Sequence, residues 1–268
     1  ENIAMGSNSG DALTTGSFNI AIGVNALGAD TLGSRSVAIG RRTLMAQNFT
    51  SATDAYNVAI GFEAGNDITT GVQNTLIGGL AGDAITTGDE NIVIGYGCDT
   101  SANSSTNQIV MGRGVTGNAN TSLCFGEDSN DSAIAFGATS ITAPSDERYK
   151  EDISDATAGL SFIKDLRPVT FKWKKEKDIP NTQKAYVEGS DKRVMNDYTN
   201  HGFIAQEVKT AIDAHSEIKD GFDMWKEDDA DGRQRLGPSA LVPILVKAIQ
   251  EQNALIEALT ARITTLEG

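Results

Sequence analysis

The first 144 residues of this 268-residue chain contain no lysine, and the whole chain has only two cysteines. Cys98 and Cys124 are too few for a disulfide framework or a zinc site, so we expect both to be small packing residues. We predict no metal and no other cofactor. No apolar run reaches the ~20 residues that a membrane-spanning helix needs, and no signal peptide is evident. We therefore expect no membrane insertion.

Basic residues are also scarce, since the net charge is −14. Residues 1–144 have 13 acidic and 4 basic side chains, and residues 145–268 have 23 and 18. Neither part has a basic stripe, which excludes duplex binding driven by counterion release and predicts no nucleic-acid partner. Because 21 of the 28 glycines lie in the first part and every lysine lies in the second, we predict two domains, 1–144 and 145–268.

What the first part does contain is an internal repeat. A five-residue motif of the form Asn-Ile-Ala-Ile-Gly recurs at residues 2–6, 19–23, 36–40, 57–61, 74–78, 91–95 and 108–112, with degenerate copies ending at Gly126 and Gly137. Successive terminal glycines are 17, 17, 21, 17, 17, 17, 14 and 11 residues apart. Two large apolar side chains two positions apart face one side of a strand, and the glycine suits a turn. The pattern predicts a mainly β solenoid of nine coils.

Two features of the repeat are candidates for binding. The 21-residue interval carries four extra residues within 41–56, and we expect them to protrude as a loop in which Arg41, Arg42, Phe49 and Tyr56 act in recognition. A tolerated surface insertion is the alternative. Asp67, Asp83 and Asp89 lie beside turns, where Asp commonly bonds local backbone, although a metal or ligand role stays open.

A single coil has too few large apolar groups for a thick core, so such coils stack on neighbours and often associate with other chains. Residues 1–137 resemble the β-roll heads of trimeric autotransporter adhesins and the β-helical shafts of phage tail fibres. This resemblance implies a trimeric solenoid. Since the sequence begins within a repeat, we also expect an upstream tail-fibre portion.

Three separate segments carry a more specific resemblance, namely residues 145–153, 166–173 and 201–208. Together they resemble the C-terminal intramolecular chaperone domain of phage tail fibres and tailspikes, the S74 peptidase family. The resemblance implies a trimerisation chaperone that releases itself by autoproteolysis between Pro144 and Ser145. Ser145 would be the nucleophile and Lys150 the base, while His201 and Gln206 match a second motif and are interpreted as structural.

The chemistry of such a pair is demanding. A serine hydroxyl is a weak nucleophile until a base takes its proton, and a lysine amine, with a free pKa of ~10.4, is a base only when neutral. Lowering that value by ~3 units corresponds to ~4 kcal/mol, which burial or a neighbouring positive charge must supply. We infer that assembly activates the pair. The alternative is that Ser145 caps a helix that starts near Asp146, with an acidic first turn.

The rest of the second part predicts an α+β domain that ends in a coiled-coil helix over about residues 240–266. Residues 160–166 indicate a short helix, residues 169–173 a strand, and residues 176–199 a long loop. An a/d heptad pattern runs through Val242, Leu245, Ile249, Gln252, Ile256, Leu259, Ile263 and Leu266. Ile at a with Leu at d nominally favours two strands, whereas the resemblance implies three. A lone amphipathic helix packed on its own domain is the alternative.

The two resemblances together imply the distal, host-recognition segment of a phage tail fibre, a virion homotrimer assembled in the host cytoplasm. Its expected receptor is a host cell-surface glycan or protein. The competing hypothesis is a fibre or adhesin whose C-terminal domain stays attached as a clamp. A glycan-cleaving tailspike would need paired carboxylates, and the repeats show no pair of that kind.

Overall fold

The computed structural model describes residues 1–267. It divides into two compact units, Glu1–Glu151 and Asp152–Gly268. The first is a β-solenoid and the second contains helices and short hairpins, so the predicted fold class is confirmed.

The solenoid is built on one long sheet in which each coil contributes one short strand. The strands of this sheet are β1 (Ile3–Met5), β2 (Ile20–Ile22), β4 (Val37–Ile39), β6 (Val58–Ile60), β7 (Thr75–Ile77), β8 (Ile92–Ile94), β9 (Gln108–Arg113), β10 (Ser122–Glu127) and β11 (Asn130–Ala135). Two further short strands, β3 (Gly33–Ser34) and β5 (Thr53–Asp54), pair in parallel elsewhere in the coils. Strands β1 to β10 of the long sheet are parallel and in register, motif on motif.

The last degenerate repeat is not a coil, and the expectation of nine coils was wrong at that point. Strand β11 pairs antiparallel with β10, with Glu127 opposite Asn130 across a two-residue turn. The reason is length, because an 11-residue interval is too short to close a coil, and the shortest interval that does so, between Gly112 and Gly126, has 14 residues. Asp128, with φ 50°, reverses the chain in that turn.

From the second motif onward, the middle residue of the strand fills the solenoid interior, and the two residues beside it point outward. Ala38, Leu76 and Val93 have no exposed surface, whereas Ile60 and Ile77 are 38% and 39% exposed. The motif correctly placed both large side chains on one face of the strand, but that face is the outer one. An apolar outer stripe therefore follows the sheet, made of Ile20, Ile22, Val37, Ile39, Val58, Ile60, Ile77, Ile92, Ile94, Ile109 and Met111.

The first residue of the motif forms a buried polar ladder. Asn57 Oδ1 accepts the Asn74 N–H at 2.9 Å, and Asn74 Oδ1 accepts the Asn91 N–H at 3.1 Å. The Nδ2 group of each asparagine donates to a carbonyl of the next coil, such as that of Gly88, 2.9 Å from Asn74 Nδ2. These side chains are buried, so the bonds satisfy backbone groups that water cannot reach. The ladder therefore links each coil to the next.

One coil has Ser36 in place of asparagine, and a second buried network replaces the missing amide. Gln47 Nε2 donates to Asp30 Oδ2 at 2.6 Å and to Ser36 Oγ at 3.2 Å. Gln47 Oε1 accepts a hydrogen bond from Asn57 Nδ2 at 2.8 Å. The ladder therefore continues through the irregular coil.

The four-residue insertion protrudes less than expected. Backbone pairing of Asn48 with Thr69 and of Ala55 with Gln73 places the extra residues between Asn48 and Ala55. Phe49 is only 6% exposed. Strand β5 pairs with β3, so residues 50–52 are the exposed residues of this insertion that lie outside a strand.

The second unit packs three helices around a small apolar core. Its helices are α1 (Leu160–Asp165), α2 (Ala205–Ala214) and α3 (Leu241–Glu267), and its hairpins are β12 (Val169–Phe171) with β13 (Asn200–Gly202) and β14 (Trp225–Glu227) with β15 (Gln234–Leu236). Phe162 and Met224 have no exposed surface and pack with Ile212 of α2 and Ile244 of α3. The short helix, the strand and the long C-terminal helix lie where the sequence predicted them.

Candidate functional site

The segment that follows Pro144 folds into a single tight turn. Asp146 has extended backbone and is the N-cap of a 3₁₀ turn, Glu147–Tyr149, and its carboxylate accepts the Arg148 N–H at 2.9 Å. The Lys150 N–H closes the turn by donating to the Glu147 carbonyl at 3.0 Å. Because the N-cap is Asp146, the alternative in which Ser145 caps a helix is wrong.

This turn brings the two proposed catalytic side chains together. Lys150 Nζ lies 2.7 Å from Ser145 Oγ, a distance at which a neutral amine can accept the hydroxyl proton. Ser145, Lys150 and the preceding Pro144 are all exposed. In the single chain, therefore, the pair has hydrogen-bond geometry but no apolar surroundings.

Arg148 folds back over the same turn. Its Nε lies 3.0 Å from Asp146 Oδ1 and its Nη2 lies 2.6 Å from Asp146 Oδ2, which is a bidentate ion pair. The Arg148 hydrogen bonds hold the pKa of the Asp146 carboxyl below its ordinary value. The acidic first turn was expected from the sequence but this ion pair was not, although Asp is a favoured N-cap residue.

The residues of the second predicted motif lie in the other compact unit. His201 is the central residue of β13, opposite Thr170 of β12, and its side chain is exposed. Gln206 lies in the first turn of α2 and is also exposed. Their interpretation as structural residues stays a prediction.

The heptad residues lie along α3 with their side chains exposed. Ile249, Ile256 and Leu259 are 56%, 60% and 59% exposed. Leu241 and Ile244, which lie outside the a and d positions, are buried against the core of the second unit instead. The helix thus packs on its own domain through one face near its start and presents the heptad face to solvent.

The comparison with protein families identifies the segment that begins at the serine. Residues 145–217 match Peptidase_S74, the chaperone of endosialidase. The match covers the turn, α1, both strands of the first hairpin and α2. No curated protein and no solved structure matches the chain. Among the helices of residues 1–267, none is long and apolar enough to cross a membrane.

An ion cluster lies at the C-terminal end of the segment that matches Peptidase_S74. His215 Nε2 lies 2.8 Å from Asp165 Oδ2 of α1, and its Nδ1 lies 3.0 Å from Glu217 Oε1. The hydrogen bond to Asp165, then that to Glu217, raises the pKa of His215. The His215 ring therefore links the end of α2 to Asp165 of α1, which indicates a structural role for the cluster.

Proposed function

We propose that this chain is the distal part of a phage tail fibre whose S74 chaperone segment assembles three copies and then cuts itself away at the Pro144–Ser145 bond. The observation that carries the proposal is the 2.7 Å contact between Lys150 Nζ and Ser145 Oγ, located at the first residue of the S74 match. The host receptor would be a cell-surface glycan or protein, and the mature product would be a virion component.

The proposed cut uses a serine that lies directly after the bond it breaks. Neutral Lys150 takes the proton of Ser145 Oγ, and the oxygen attacks the carbonyl carbon of Pro144. The C–N bond breaks as the Lys150 ammonium returns the proton to the leaving Ser145 nitrogen, which leaves Pro144 esterified to Ser145 Oγ. One water then hydrolyses the ester to a Pro144 carboxylate and a Ser145 with free amine and hydroxyl. The reaction consumes one water and runs once per chain.

Two apolar surfaces support the association of three copies. The outer stripe of the solenoid leaves Ile60, Ile77 and Ile92 37–39% exposed along successive coils. The a and d residues of α3 form a second exposed apolar row. Continuous exposed apolar surface of this kind marks an interaction site. Three α3 helices in a coiled coil would cover the second row, and three solenoids would cover the first.

A chaperone is needed because the solenoid repeats itself. Successive coils differ little, so chains that pair one coil out of step lose few contacts. A C-terminal coiled coil fixes the three chains before the solenoids associate. After the chaperone segment is released, the trimer of solenoids would be kept folded by a high barrier to unfolding, which is kinetic stability.

Activation of the dyad by assembly fits the exposure of the pair. A lysine base in water stays protonated at neutral pH, and only desolvation or neighbouring positive charge makes it neutral. Packing of three copies around Ser145 and Lys150 would exclude water from a site that is open in one chain.

Intact-mass spectrometry of the expressed chain tests the proposal. We expect a fragment of 124 residues (145–268) that begins at Ser145, and we expect it to be absent from Ser145→Ala and from Lys150→Ala. The exposed Ser154→Ala is the matched control and should still be cut. A full-length product that is stable as a trimer would instead support the alternative, a permanently attached clamp.

A further inference from the structure

The contact between Ser145 and Lys150 depends on how tightly the turn between them is closed. Two backbone hydrogen bonds close it, from Tyr149 N–H to the Asp146 carbonyl at 3.1 Å and from Lys150 N–H to the Glu147 carbonyl at 3.0 Å. Both catalytic side chains are exposed, so little packing supports their rotamers. A third hydrogen bond, from the Arg148 N–H to the Asp146 carboxylate, also stabilises the turn.

The Arg148 side chain is committed to this turn. It is 84% exposed, and its guanidinium donates to Asp146 through both Nε and Nη2. An exposed ion pair of this kind stabilises a fold only weakly. Because Arg148 lies between the two residues of the dyad, the ion pair also affects the charges near the Lys150 amine.

Several carboxylates lie close to Lys150 in the sequence. Glu147, Glu151 and Asp152 surround Lys150 along the chain, and all three are exposed. A carboxylate that approached the amine would favour its charged form, and a charged amine cannot take the serine proton. The Lys150 amine contacts the Ser145 hydroxyl instead, while the nearest capping carboxylate, Asp146, is held by Arg148.

We propose that Arg148 is a positioning residue for the dyad, holding the turn closed and keeping the Asp146 carboxylate neutralised and away from the Lys150 amine. The role rests on the proposed self-cleavage. Arg148 does not touch the scissile bond, so its removal should slow the reaction and change its pH dependence without abolishing it.

The rate of self-cleavage as a function of pH, measured on the full chain, separates these effects. Arg148→Ala should cut about tenfold more slowly, because a displaced Lys150 is less well placed to take the Ser145 Oγ proton. The pH at which its cleavage rate is half-maximal should rise by about half a unit to one unit, since a freed Asp146 carboxylate that approached the amine would stabilise the ammonium. Arg148→Lys should recover part of the rate because it keeps the charge.

A double variant isolates the charge from the turn. Asp146→Asn keeps an oxygen that can cap the Arg148 N–H but removes the negative charge. In Asp146→Asn with Arg148→Ala, the half-maximal pH should therefore return to the wild-type value or below it. Arg113→Ala is the matched control, since Arg113 is an exposed arginine of the solenoid paired with Glu127 and Asp128. A pH profile of Arg148→Ala that superimposes on the Arg113→Ala profile would overturn the proposal.

A second measurement does not depend on cleavage. In the uncut Ser145→Ala chain with ¹³Cε-labelled lysine, the Lys150 signal, assigned by its loss in Lys150→Arg, should titrate at higher pH once Arg148→Ala is added. An unchanged midpoint contradicts the positioning role. If the wild-type chain is never cut and the midpoint still moves, the self-cleavage proposal fails and the electrostatic role of Arg148 stands.

Discussion

At the scale of single residues, Asp99 shows how stacking makes a side chain sensitive to pH. Burial, then repulsion from Asp83 and Asp67 in neighbouring coils, raises the pKa of Asp99 to about 6. The Asp99 carboxylate accepts the Thr100 N–H at 2.8 Å, which acts in the opposite direction but is outweighed. The sequence placed Asp67 and Asp83 beside turns but gave no sign that the coils would align them with Asp99.

The raised pKa predicts that the solenoid is less stable at pH 7 than at pH 5. The folded state holds the Asp99 proton more tightly than the unfolded chain, so stability grows as pH falls through about 6 toward the unfolded value. A shift of this size corresponds to at most about 3 kcal/mol, reduced by partial exposure. Asp99→Asn should flatten the difference in unfolding free energy between pH 5 and pH 7, measured by denaturant titration. The exposed Asp11→Asn is the control, and an equal flattening there would refute the assignment.

Gly78 lies at a position where the fold leaves no room for a side chain. Its φ is +135°, and a Cβ there would lie 2.5 Å from the carbonyl oxygen of Gly95 in the next coil. Gly78→Ala should therefore lower the unfolding free energy by more than about 3 kcal/mol, since both backbone strain and a clash with backbone must be relieved.

Gly97→Ala is the comparison that separates strain from clash. Gly97 has φ +62°, but a Cβ added there would have no heavy atom within 4 Å. The substitution should cost only about 1 kcal/mol, the penalty of a left-handed alanine. Thermal melts that show equal losses for the two variants would contradict the role assigned to the close approach of the coils.

At the scale of the element, the asparagine ladder decides whether one coil can sit on the next. Asn74→Ala removes the acceptor of the Asn91 N–H and the donor to the Gly88 carbonyl, leaving both groups buried without a partner. We expect a loss of about 2–4 kcal/mol in unfolding free energy. Asn48→Ala, at an exposed asparagine that accepts a bond from Thr31, should lose under about 1 kcal/mol. Similar losses at the two positions in urea titrations would show that the ladder adds little.

How far the sequence predicted the elements depends on whether the repeat explains them. The 17-residue period and the terminal glycines predicted the stacked strands, because period and turn are local properties. The period did not show which face of the strand is inside, since Ile20 and Ile22 outweigh Ala21 in hydrophobicity yet point outward. The width of the solenoid interior decides which face points inward, and that width depends on the conformation of the whole coil.

The candidate site was predictable only in part, for a similar reason. The family resemblance named Ser145 and Lys150, and the structure places their side chains 2.7 Å apart. The fastening of the turn by Asp146 and Arg148 depends on side-chain conformations over two residues, which a spacing pattern does not specify. Helix α2 was also missed, since its apolar residues, Val208, Ala211 and Ile212, make a short and weak pattern.

At the scale of the whole molecule, we propose that two apolar surfaces are coupled to one reaction, the self-cleavage. The outer stripe and the heptad face of α3 are apolar and exposed in the single chain, and Ser145 and Lys150 are in contact but exposed to solvent. If association of three chains covers these surfaces and excludes water from Ser145 and Lys150, then cleavage follows assembly. Release before assembly would leave solenoids without a device to set their register.

Native mass spectrometry, reading copy number and cleavage in the same sample, tests this coupling most directly. Ile256→Lys with Leu259→Lys places two charges in the a/d face of α3, whereas Glu257→Lys changes charge at a neighbouring exposed position outside it. We expect the wild type and Glu257→Lys to form trimers of residues 1–144 with the 145–268 fragment released, while the double variant stays monomeric and uncut. A double variant that is monomeric yet cut between Pro144 and Ser145 as fast as the wild type would contradict the coupling of cleavage to assembly.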